Sequence, residues 1–259
     1  MKVLAFFAHP DDETMLAGGT LALLARLGAE VHYLCATRGE GGEAGDPPLC
    51  APPELGTLRA AELACAVQAL GGASLRFLPY VDPSVGPDNT LYAFMDDPVR
   101  LAQELRQVLD ELSADVLITH GSSGEYGHPA HRLVYAAARL TAQTWASPQR
   151  LWYTVQAAYA DAPKPRLLNL DDPAHWVLDV TPLKAEKTAA TLCHRTQHAL
   201  FVRNTSKQLG RPVTVPEVVV TLESLHRAAP PVEDGRPQDA LALLLSLSGR
   251  VREEAAAHG

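Results

Sequence analysis

Short apolar runs alternate with longer segments of helical periodicity over the first 160 residues, and this alternation constrains the fold more than any other feature. Five runs have the length and composition of β-strands. These predicted strands cover residues 3–7, 30–36, 75–78, 115–119 and 150–158. Strands that alternate with helices are typical of parallel sheets. The sequence therefore predicts an α/β fold with a doubly wound, mostly parallel, Rossmann-like sheet.

Helical segments fill the intervals between these strands and carry recognisable boundary signals. The predicted helices cover residues 14–27, 55–70, 98–112 and 128 to about 144. Gly28 follows the first helix, and Asp97 before Pro98 is a plausible N-cap of the third. After residue 160 the alternation fades to a helical segment at 183–195, a strand-like run at 217–222 and an Ala/Leu-rich helix at 238–257. We expect one domain, 1–259, with a core at 1–160 and a C-terminal elaboration at 161–259.

Charge and cysteine content exclude several classes of protein. With 30 acidic and 22 basic side chains the formal net charge is −8, which argues against nucleic acid or an anionic membrane as the main partner. No apolar run approaches the ~18 residues of a membrane span, and no secretory signal is evident, so a cytoplasmic protein is expected. The four cysteines form no C-x-x-C pair, so neither cysteine-type structural zinc nor a disulfide framework is expected. Cys35 and Cys65 are interpreted as small buried apolar residues.

A histidine and three acids are packed into the turn after the first predicted strand. The turn contains His9, Asp11, Asp12 and Glu13, and a predicted helix follows directly. In open α/β sheets, ligands bind at the carboxyl ends of the strands. Such a density of carboxylates is costly unless a cation or a proton offsets it.

A second cluster of polar residues follows the fourth predicted strand, at 120–131. Its His128 and His131 are three residues apart at a helix start and can share one face. In a doubly wound sheet this strand lies beside the first, which would bring His9, Asp12 and His131 within reach of one metal ion. Two imidazoles and one carboxylate leave positions open for water and substrate, as in catalytic sites.

The remaining acid and histidines of this region suggest acid–base roles. Asp11 adjoins a candidate ligand but should point elsewhere, so it can act as a base toward water. His128 and His194 are candidates to stabilise an oxyanion or to protonate a leaving amine. A purely structural explanation exists for each cluster alone, because acids before a helix commonly cap it. That explanation does not account for two such clusters after neighbouring strands, and we favour a metal site.

The motifs resemble a known family. The matching segments are AHPDDE (8–13), GGTLA (18–22), TRGEGG (37–42), LRAAEL (58–63), EYGHPAH (125–131) and K-x-x-K-x-x-A-x-x-x-H-R-T-Q (184–197). In this order they resemble the PIG-L/LmbE-like metal-dependent N-deacetylases, which include the deacetylases of mycothiol and bacillithiol biosynthesis. The first motif and the HxxH pair are the specific ones, and the others are supportive.

This resemblance implies a role for each matched residue. It implies that His9, Asp12 and His131 bind Zn²⁺, with Fe²⁺ as a possible alternative, that Asp11 is the general base, and that His128 and His194 orient or stabilise the tetrahedral intermediate. The residues that it implies for substrate binding are Arg59, Tyr126, Asp82 and Glu40. Without the resemblance, Arg59 and Glu62 would be interpreted as a surface ion pair.

The sequence also departs from the family pattern. The second motif commonly has an aspartate where this chain has Ala130, and that aspartate would polarise the neighbouring histidine. Thr196 stands where serine is more common, which is a mild change.

The expected function is hydrolysis of the N-acetyl group from an N-acetylglucosamine-type small molecule, such as the low-molecular-weight thiol precursor GlcNAc-malate. Two alternatives remain open at this point. A non-haem iron enzyme can use the same two histidines and one carboxylate, and a sugar-binding module would need no metal. A serine hydrolase is disfavoured because the segment 121–124 is not G-x-S-x-G. A homo-oligomer is possible.

Overall fold

The computed structural model describes residues 1–232, 235 and 237–246. Its strands are β1 (Lys2–Phe7), β2 (Glu30–Thr37), β3 (Ser74–Tyr80), β4 (Val116–Thr119), β5 (Leu151–Val155), β6 (Ala157–Ala158), β7 (Asn169–Pro173), β8 (Trp176–Asp179) and β9 (Leu222–Ala229). Its α-helices are α1 (Asp12–Arg26), α2 (Leu55–Ala69), α3 (Pro98–Leu112), α4 (Pro129–Trp145), α5 (Lys184–Cys193), α6 (His198–Leu209), α7 (Val215–Val218) and α8 (Ala240–Ser246). None of these helices combines the length and apolar character of a membrane span.

Seven strands form the main sheet in the order β3-β2-β1-β4-β5-β9-β8. The first five are parallel, whereas β9 is antiparallel to both β5 and β8. The predicted α/β class with a mostly parallel sheet is confirmed. Because Val3 of β1 pairs in register with Val116 of β4, the carboxyl ends of these two strands lie side by side.

Each face of the sheet has its own apolar core, and β1 contributes to both because successive side chains point to opposite faces. Val3, Ala5 and Phe7 pack with α1 and α2 on one face. Leu4 and Phe6 pack with α3 and α4 on the other. Burial on both faces explains why this strand is a continuous apolar run and does not alternate with polar residues.

Helix α3 shows how local signals define an element. The Asp97 carboxylate accepts hydrogen bonds from the backbone N–H groups of Val99 and Arg100, both at 3.0 Å, and Pro98 is the first helical residue. Cap and proline together fix the helix start. The predicted N-cap and both predicted ends of this helix are confirmed.

A buried ion pair from the C-terminal half of the chain contacts the middle of α1. The Glu223 carboxylate accepts hydrogen bonds from the backbone N–H groups of Gly19 and Thr20 at 2.9 and 2.7 Å. Lys187 lies 2.6 Å from Glu223 and also donates to the carbonyl oxygen of Met15. The helix that carries the acidic turn is therefore held by residues far along the chain.

The C-terminal elements differ most from the sequence predictions. Residues 217–222 are not a strand, because Thr214 and Glu217 form a capping box that begins α7, and β9 starts only at Leu222. The predicted strand 150–158 is divided into β5 and β6 at Gln156, which has a positive φ of 53°. Helix α5 occupies most of the predicted segment 183–195. The predicted helix 238–257 is present as α8, and its part beyond residue 246 lies outside the described residues.

The cysteine prediction is wrong in one respect. Cys65 of α2 and Cys193 at the end of α5 form a disulfide, although 128 residues separate them. Cys65 is solvent-exposed, and is therefore not a buried apolar residue. Cys35 is buried and free, as expected.

Candidate active site

The acidic turn after β1 is organised by its own side chains. The Asp12 carboxylate accepts a hydrogen bond from the backbone N–H of His9 at 2.9 Å, and Glu13 accepts from the N–H of Asp11 at 3.0 Å. Asp11 has a positive φ of 111°, a conformation that non-glycine residues rarely adopt. Strain of this kind clusters at functional sites. Two of the three acids therefore accept hydrogen bonds from the backbone of the turn, and the third has an uncommon backbone conformation.

A buried glutamate organises the segment after β4. One oxygen of Glu125 lies 2.6 Å from Nδ1 of His131 and 3.0 Å from Nδ1 of His120. Its other oxygen accepts from the backbone N–H of Gly121 at 3.0 Å and from the Asn169 amide at 3.2 Å. All of these side chains are buried, so Glu125 fixes the orientation of both imidazoles.

Side chains from the two strand ends converge on Asp12. One Asp12 oxygen lies 3.3 Å from Nε2 of His131, and the other lies 3.3 Å from Nδ1 of His9. His120 and His128 lie beside them, and the ring centroids of His128 and His131 are 4.5 Å apart. Two groups of three side chains bring potential metal-binding atoms within 4.8 Å of one another, and they share His131. One group is His9, His128 and His131, and the other is Asp12, His120 and His131.

Hydrogen bonds decide which of the four histidines are free to bind a cation. Nε2 of His120 already accepts from the backbone N–H of Ala8 at 3.0 Å. Nδ1 of His128 accepts from the N–H of Ala130 at 3.2 Å, so a neutral His128 carries its proton on Nε2. Asp82 lies 3.2 Å from Nε2 of His9. The other ring nitrogen of His9, Nδ1, faces Asp12 and is the one that could bind a cation.

The residues that remain fit a divalent cation. Nε2 of His131 is buried and has no hydrogen-bond partner, although Nδ1 of the same ring is held by Glu125. A buried imidazole nitrogen without a partner, backed by a carboxylate on its other nitrogen, is typical of a metal ligand. His9, Asp12 and His131 could thus hold a metal as two nitrogens and one carboxylate, a donor set that suits Zn²⁺ and Fe²⁺.

Charge interactions in this cluster shift several pKa values. Burial opposes ionisation of Asp12, but His131 and His120 hold its pKa well below the usual range. Burial also opposes protonation of His9, but hydrogen bonds with Asp12 and Asp82 raise its pKa to about 9. Burial and the neighbouring His9 and His131 lower the pKa of His128 to about 3, so this ring is neutral.

Arg59 lies behind Asp11 and is not part of a surface ion pair. Its guanidinium donates to the carbonyl oxygens of Gly39 and Pro10 at 2.9 and 2.5 Å and to Asp11 at 3.2 Å. The residue is 3 % exposed, and Glu62 binds Thr196 and not Arg59. Burial raises the pKa of Asp11 to about 6, and Arg59 opposes that shift.

His194 reaches the same turn from the other side, just beyond the end of α5. Its Nε2 lies 3.0 Å from Glu13 and 3.3 Å from the Thr14 hydroxyl. The ring is completely buried, and its Nδ1 has no hydrogen-bond partner. The structure therefore brings the predicted His194 against the acidic turn and assigns it Glu13 as its carboxylate partner.

The other predicted substrate-binding residues lie around the cluster in different ways. Tyr126 is 55 % exposed, and its ring centroid is 5.7 Å from that of His128 and 5.6 Å from that of His131. Glu40 accepts a hydrogen bond from the backbone N–H of Asp82 at 3.0 Å and so ties two loops together. Among these residues, Tyr126 is the one that borders the cluster with an exposed ring, whereas Asp82 contacts His9.

Comparison with known proteins places the chain in a family. Residues 4–142, more than half of the chain, match the PIG-L family, described as GlcNAc-PI de-N-acetylase. A deacetylase of Rhodococcus erythropolis, named 1D-myo-inositol 2-acetamido-2-deoxy-alpha-D-glucopyranoside deacetylase, is 32 % identical, with 92 % of this chain and 96 % of the relative covered. A protein of the same name from Mycolicibacterium vanbaalenii is 31 % identical, with 83 % and 87 % covered. The chain belongs to the PIG-L family.

Solved structures share the fold of this PIG-L family member at low sequence identity. The N,N'-diacetylchitobiose deacetylase of Pyrococcus horikoshii superposes with a TM-score of 0.58 at 19 % identity, over 87 % of this chain and 83 % of that one. GalB of Pseudomonas putida, a 4-carboxy-2-hydroxymuconate hydratase, has a TM-score of 0.60 at 20 % identity, over 91 % and 99 %. Because a hydratase and a deacetylase share the fold, the fold by itself does not determine the reaction.

Sequence reasoning did not single out three residues that organise the site. Glu125 holds two histidines, Asn169 binds Glu125, and Glu62 holds the segment after His194. Glu125 could have been found, because it is an acid inside the EYGHPAH motif after a strand. Ala130 is buried in the core, and the carboxylate that holds His131 of the HxxH pair is Glu125.

Proposed function

We propose that this PIG-L family member is a metal-dependent hydrolase that removes the acetyl group from an N-acetylglucosamine-type small molecule. The observation that carries the proposal is the unpartnered, buried Nε2 of His131 beside Asp12 and His9, at the strand ends where α/β folds bind ligands. The names of the relatives support the deacetylation of a glucosamine conjugate.

The cation proposed is Zn²⁺, held by His9, Asp12 and His131, and Fe²⁺ can use the same ligands. When bound, it would supply Lewis acidity toward water and toward the amide carbonyl. Asp82 and Glu125 orient the two imidazoles through their other ring nitrogens. This outer pair of carboxylates fixes the tautomers with which the histidines bind a metal.

Asp11 is proposed to move the protons. It adjoins Asp12 in the chain, and Arg59 holds one of its oxygens at 3.2 Å, so its carboxylate is oriented before substrate arrives. A carboxylate in this position takes a proton from the attacking water and returns it to the departing amine. The Asp11 carboxylate contacts Arg59, whereas the Asp12 carboxylate contacts His9 and His131.

His128 and His194 are proposed to stabilise the tetrahedral intermediate. Because Nδ1 of His128 accepts from a backbone N–H, the Nε2–H is a hydrogen-bond donor available for a developing oxyanion. His194 lies on the opposite side of the acidic turn, with Glu13 to balance its charge when it is protonated. Tyr126, at the exposed edge of the cluster, is proposed to contact the substrate near the scissile amide.

The substrate proposed is an N-acetylglucosamine conjugate, with GlcNAc-malate as the first candidate. Arg59, Asp82 and Glu40 are proposed to shape the sugar subsite, because they join the turn after β1 to the loops after β2 and β3. Arg59 is buried and Glu40 is partly buried, and their hydrogen bonds to backbone groups support a role in holding these loops in place.

An acetate-release screen tests the proposal. The zinc-loaded protein is incubated with GlcNAc, GlcNAc-malate, GlcNAc-inositol and diacetylchitobiose, with and without oxygen. We expect release from at least one conjugate, independent of oxygen, and a loss of about a hundredfold or more in Asp11→Asn at unchanged metal content. Asp171→Asn, an exposed acid, is the matched control. No release from any substrate, or full activity of Asp11→Asn, would contradict the proposed reaction, and a requirement for oxygen would favour the iron enzyme.

A further inference from the structure

One face of α2 makes three contacts with the segments that carry the proposed acid–base residues. Arg59, Glu62 and Cys65 are spaced by three residues, so they follow one another along the same side of the helix. Arg59 donates to Asp11, Glu62 accepts from Thr196, and Cys65 is bonded to Cys193. Helix α2 thus holds the turn that contains Asp11 and the segment that contains His194.

The chain departs from helical geometry at His194, between the end of α5 and a short 3-10 helix at Arg195–Gln197. Helix α5 ends at Cys193, and His194 has non-helical backbone angles. The carboxylate of Glu62 accepts hydrogen bonds from the backbone N–H and the hydroxyl of Thr196 at 2.9 and 2.7 Å. The disulfide holds Cys193, the residue directly before His194, so the segment is anchored one residue before His194 and two residues after it.

The disulfide and its neighbouring histidine differ sharply in their exposure. Cys65 is exposed and Cys193 is partly exposed, whereas His194 is completely buried. Exposed disulfides are open to attack by thiolates and are the more labile ones. A thiol in solution can therefore reach the Cys65–Cys193 bond. The buried side chain of His194 belongs to the residue next to Cys193.

We propose that the Cys65–Cys193 disulfide is a redox-sensitive positioning device for His194, so that reduction of the bond lowers the turnover of the enzyme. This inference rests on the proposed function of His194. A dithiol supplies the two electrons: one of its thiolates attacks a disulfide sulfur, its second thiol releases the mixed disulfide, and two cysteine thiols and a cyclic disulfide result. The cytoplasm expected from the sequence contains reductants of this class.

Reduction should loosen His194 and leave the cation-binding residues in place. Those residues come from the turn after β1, from α1 and from α4, and none of them contacts Cys65 or Cys193 among the interactions described above. We therefore expect kcat to fall about tenfold while KM and metal content change less than about twofold, because a misplaced catalytic group affects mainly the chemical step.

The experiment compares the oxidised full-length protein, the same protein after dithiothreitol, and the variants Cys65→Ser and Cys193→Ser. Thiol titration of the unfolded chain should count two free cysteines before reduction, Cys35 and Cys50, and four after it. Hydrogen exchange of peptides that cover residues 184–197 should speed up about tenfold on reduction and in both variants. Cys50→Ser is the matched control and should behave like the wild type before and after reduction.

Two features keep the outcomes distinct. Both serine variants should have the lowered kcat already and should not respond to dithiothreitol, which separates disulfide reduction from metal removal by the reagent. Unchanged exchange at 184–197, or faster exchange with an unchanged kcat, would overturn the inference. If no state of the protein releases acetate, the proposed function fails, while hydrogen exchange alone still decides whether the disulfide positions this segment. If one serine variant does not fold, the reduced wild type and the other variant give the same comparison.

Discussion

The two sides of the candidate site are built in different ways. The metal side, defined as His9, Asp12 and His131, comes from the ends of two adjacent core strands and the helices that follow them. The α5 side, defined as His194 with its partner Glu13, brings a residue that is 181 positions further along the chain against the first turn. On the metal side, sheet register sets the geometry. On the α5 side, side-chain contacts and one disulfide set it.

This difference separates two kinds of sensitivity. A side chain that follows a buried parallel strand is positioned by the core, so its placement survives changes at the surface. A side chain in an irregular segment is positioned by a few contacts, and each contact can be removed by one substitution. We therefore expect changes on the metal side to alter cation binding, and changes on the α5 side to alter turnover alone.

The largest effect is expected on the metal side from His131→Ala. This change removes the buried nitrogen that lies 3.3 Å from Asp12 and makes no hydrogen bond. It should abolish stoichiometric zinc and lower kcat/KM about a thousandfold or more, because metal catalysis contributes several kcal/mol. Metal analysis of the purified variant and an acetate-release assay measure the two quantities. His32→Ala, a partly buried histidine of β2 that is not among the site residues, is the control, and a variant at position 131 with full metal content would contradict the ligand assignment.

Glu125→Gln tests the support of the metal side. One oxygen of Glu125 contacts both His131 and His120, and the other accepts from Gly121 and Asn169. The amide has only one acceptor oxygen, so its NH2 group must face one of these two sets of donors, and zinc affinity should fall about 10- to 100-fold. Competition with a chromophoric chelator measures that affinity. An affinity equal to that of the wild type would show that His131 is oriented without the carboxylate. Glu125 would then not be a supporting residue of the metal side.

Glu62→Ala tests the α5 side without touching the disulfide. It removes the acceptor of two hydrogen bonds from Thr196, so the segment after His194 should loosen and kcat should fall about tenfold at unchanged zinc affinity. The stability loss from the unsatisfied backbone N–H should be about 1–3 kcal/mol. Gln68→Ala, on the exposed face of the same helix, is the control. A fall in zinc affinity would mean that the two sides are not independent.

The smallest effect concerns His175, which lies outside both sides. Burial, with His226 and Arg227 nearby, lowers its pKa to about 4, and its Nδ1 accepts from the backbone N–H of Arg227 at 3.0 Å. Because the folded pKa is below the ordinary value of about 6.5, the unfolded chain binds more protons between these values, and stability should decrease as the pH falls from 6.5 to 4. Urea unfolding at pH 7 and pH 5 should show a smaller decrease in His175→Asn, which retains an acceptor. An equal decrease in the variant would assign the effect to other groups.

Prediction from sequence was reliable where structure is local. Helix α3 was predicted with both of its ends because Asp97 and Pro98 define its start through neighbouring backbone groups. The metal side was within reach of prediction because each residue follows an apolar run, and parallel strands align their carboxyl ends. The resemblance points to residues of the first motif and the HxxH pair, and the structure places these side chains close together, while their roles stay a prediction.

Prediction failed where distant parts of the chain decide the outcome. The Cys65–Cys193 pair is separated by 128 residues, and no local pattern marks it. Arg59 and Glu62 have the spacing of a surface ion pair, yet both are buried because the loops before α1 and after α5 close over them. The run 217–222 contains apolar residues suited to a strand, but the Thr214–Glu217 capping box begins a short helix within it.

The contact between Glu223 and the middle of α1 has a consequence for how the protein is made. During synthesis, residues 1–160 leave the ribosome first, but the backbone groups of Gly19 and Thr20 obtain their carboxylate only after residue 223 has emerged. Lys187, the counter-ion of that carboxylate, also arrives late. A nascent chain that stops at residue 160 should therefore hold the helix that carries Asp11 and Asp12 loosely. The C-terminal region thus completes the packing of the first βα unit, although that unit is synthesised first.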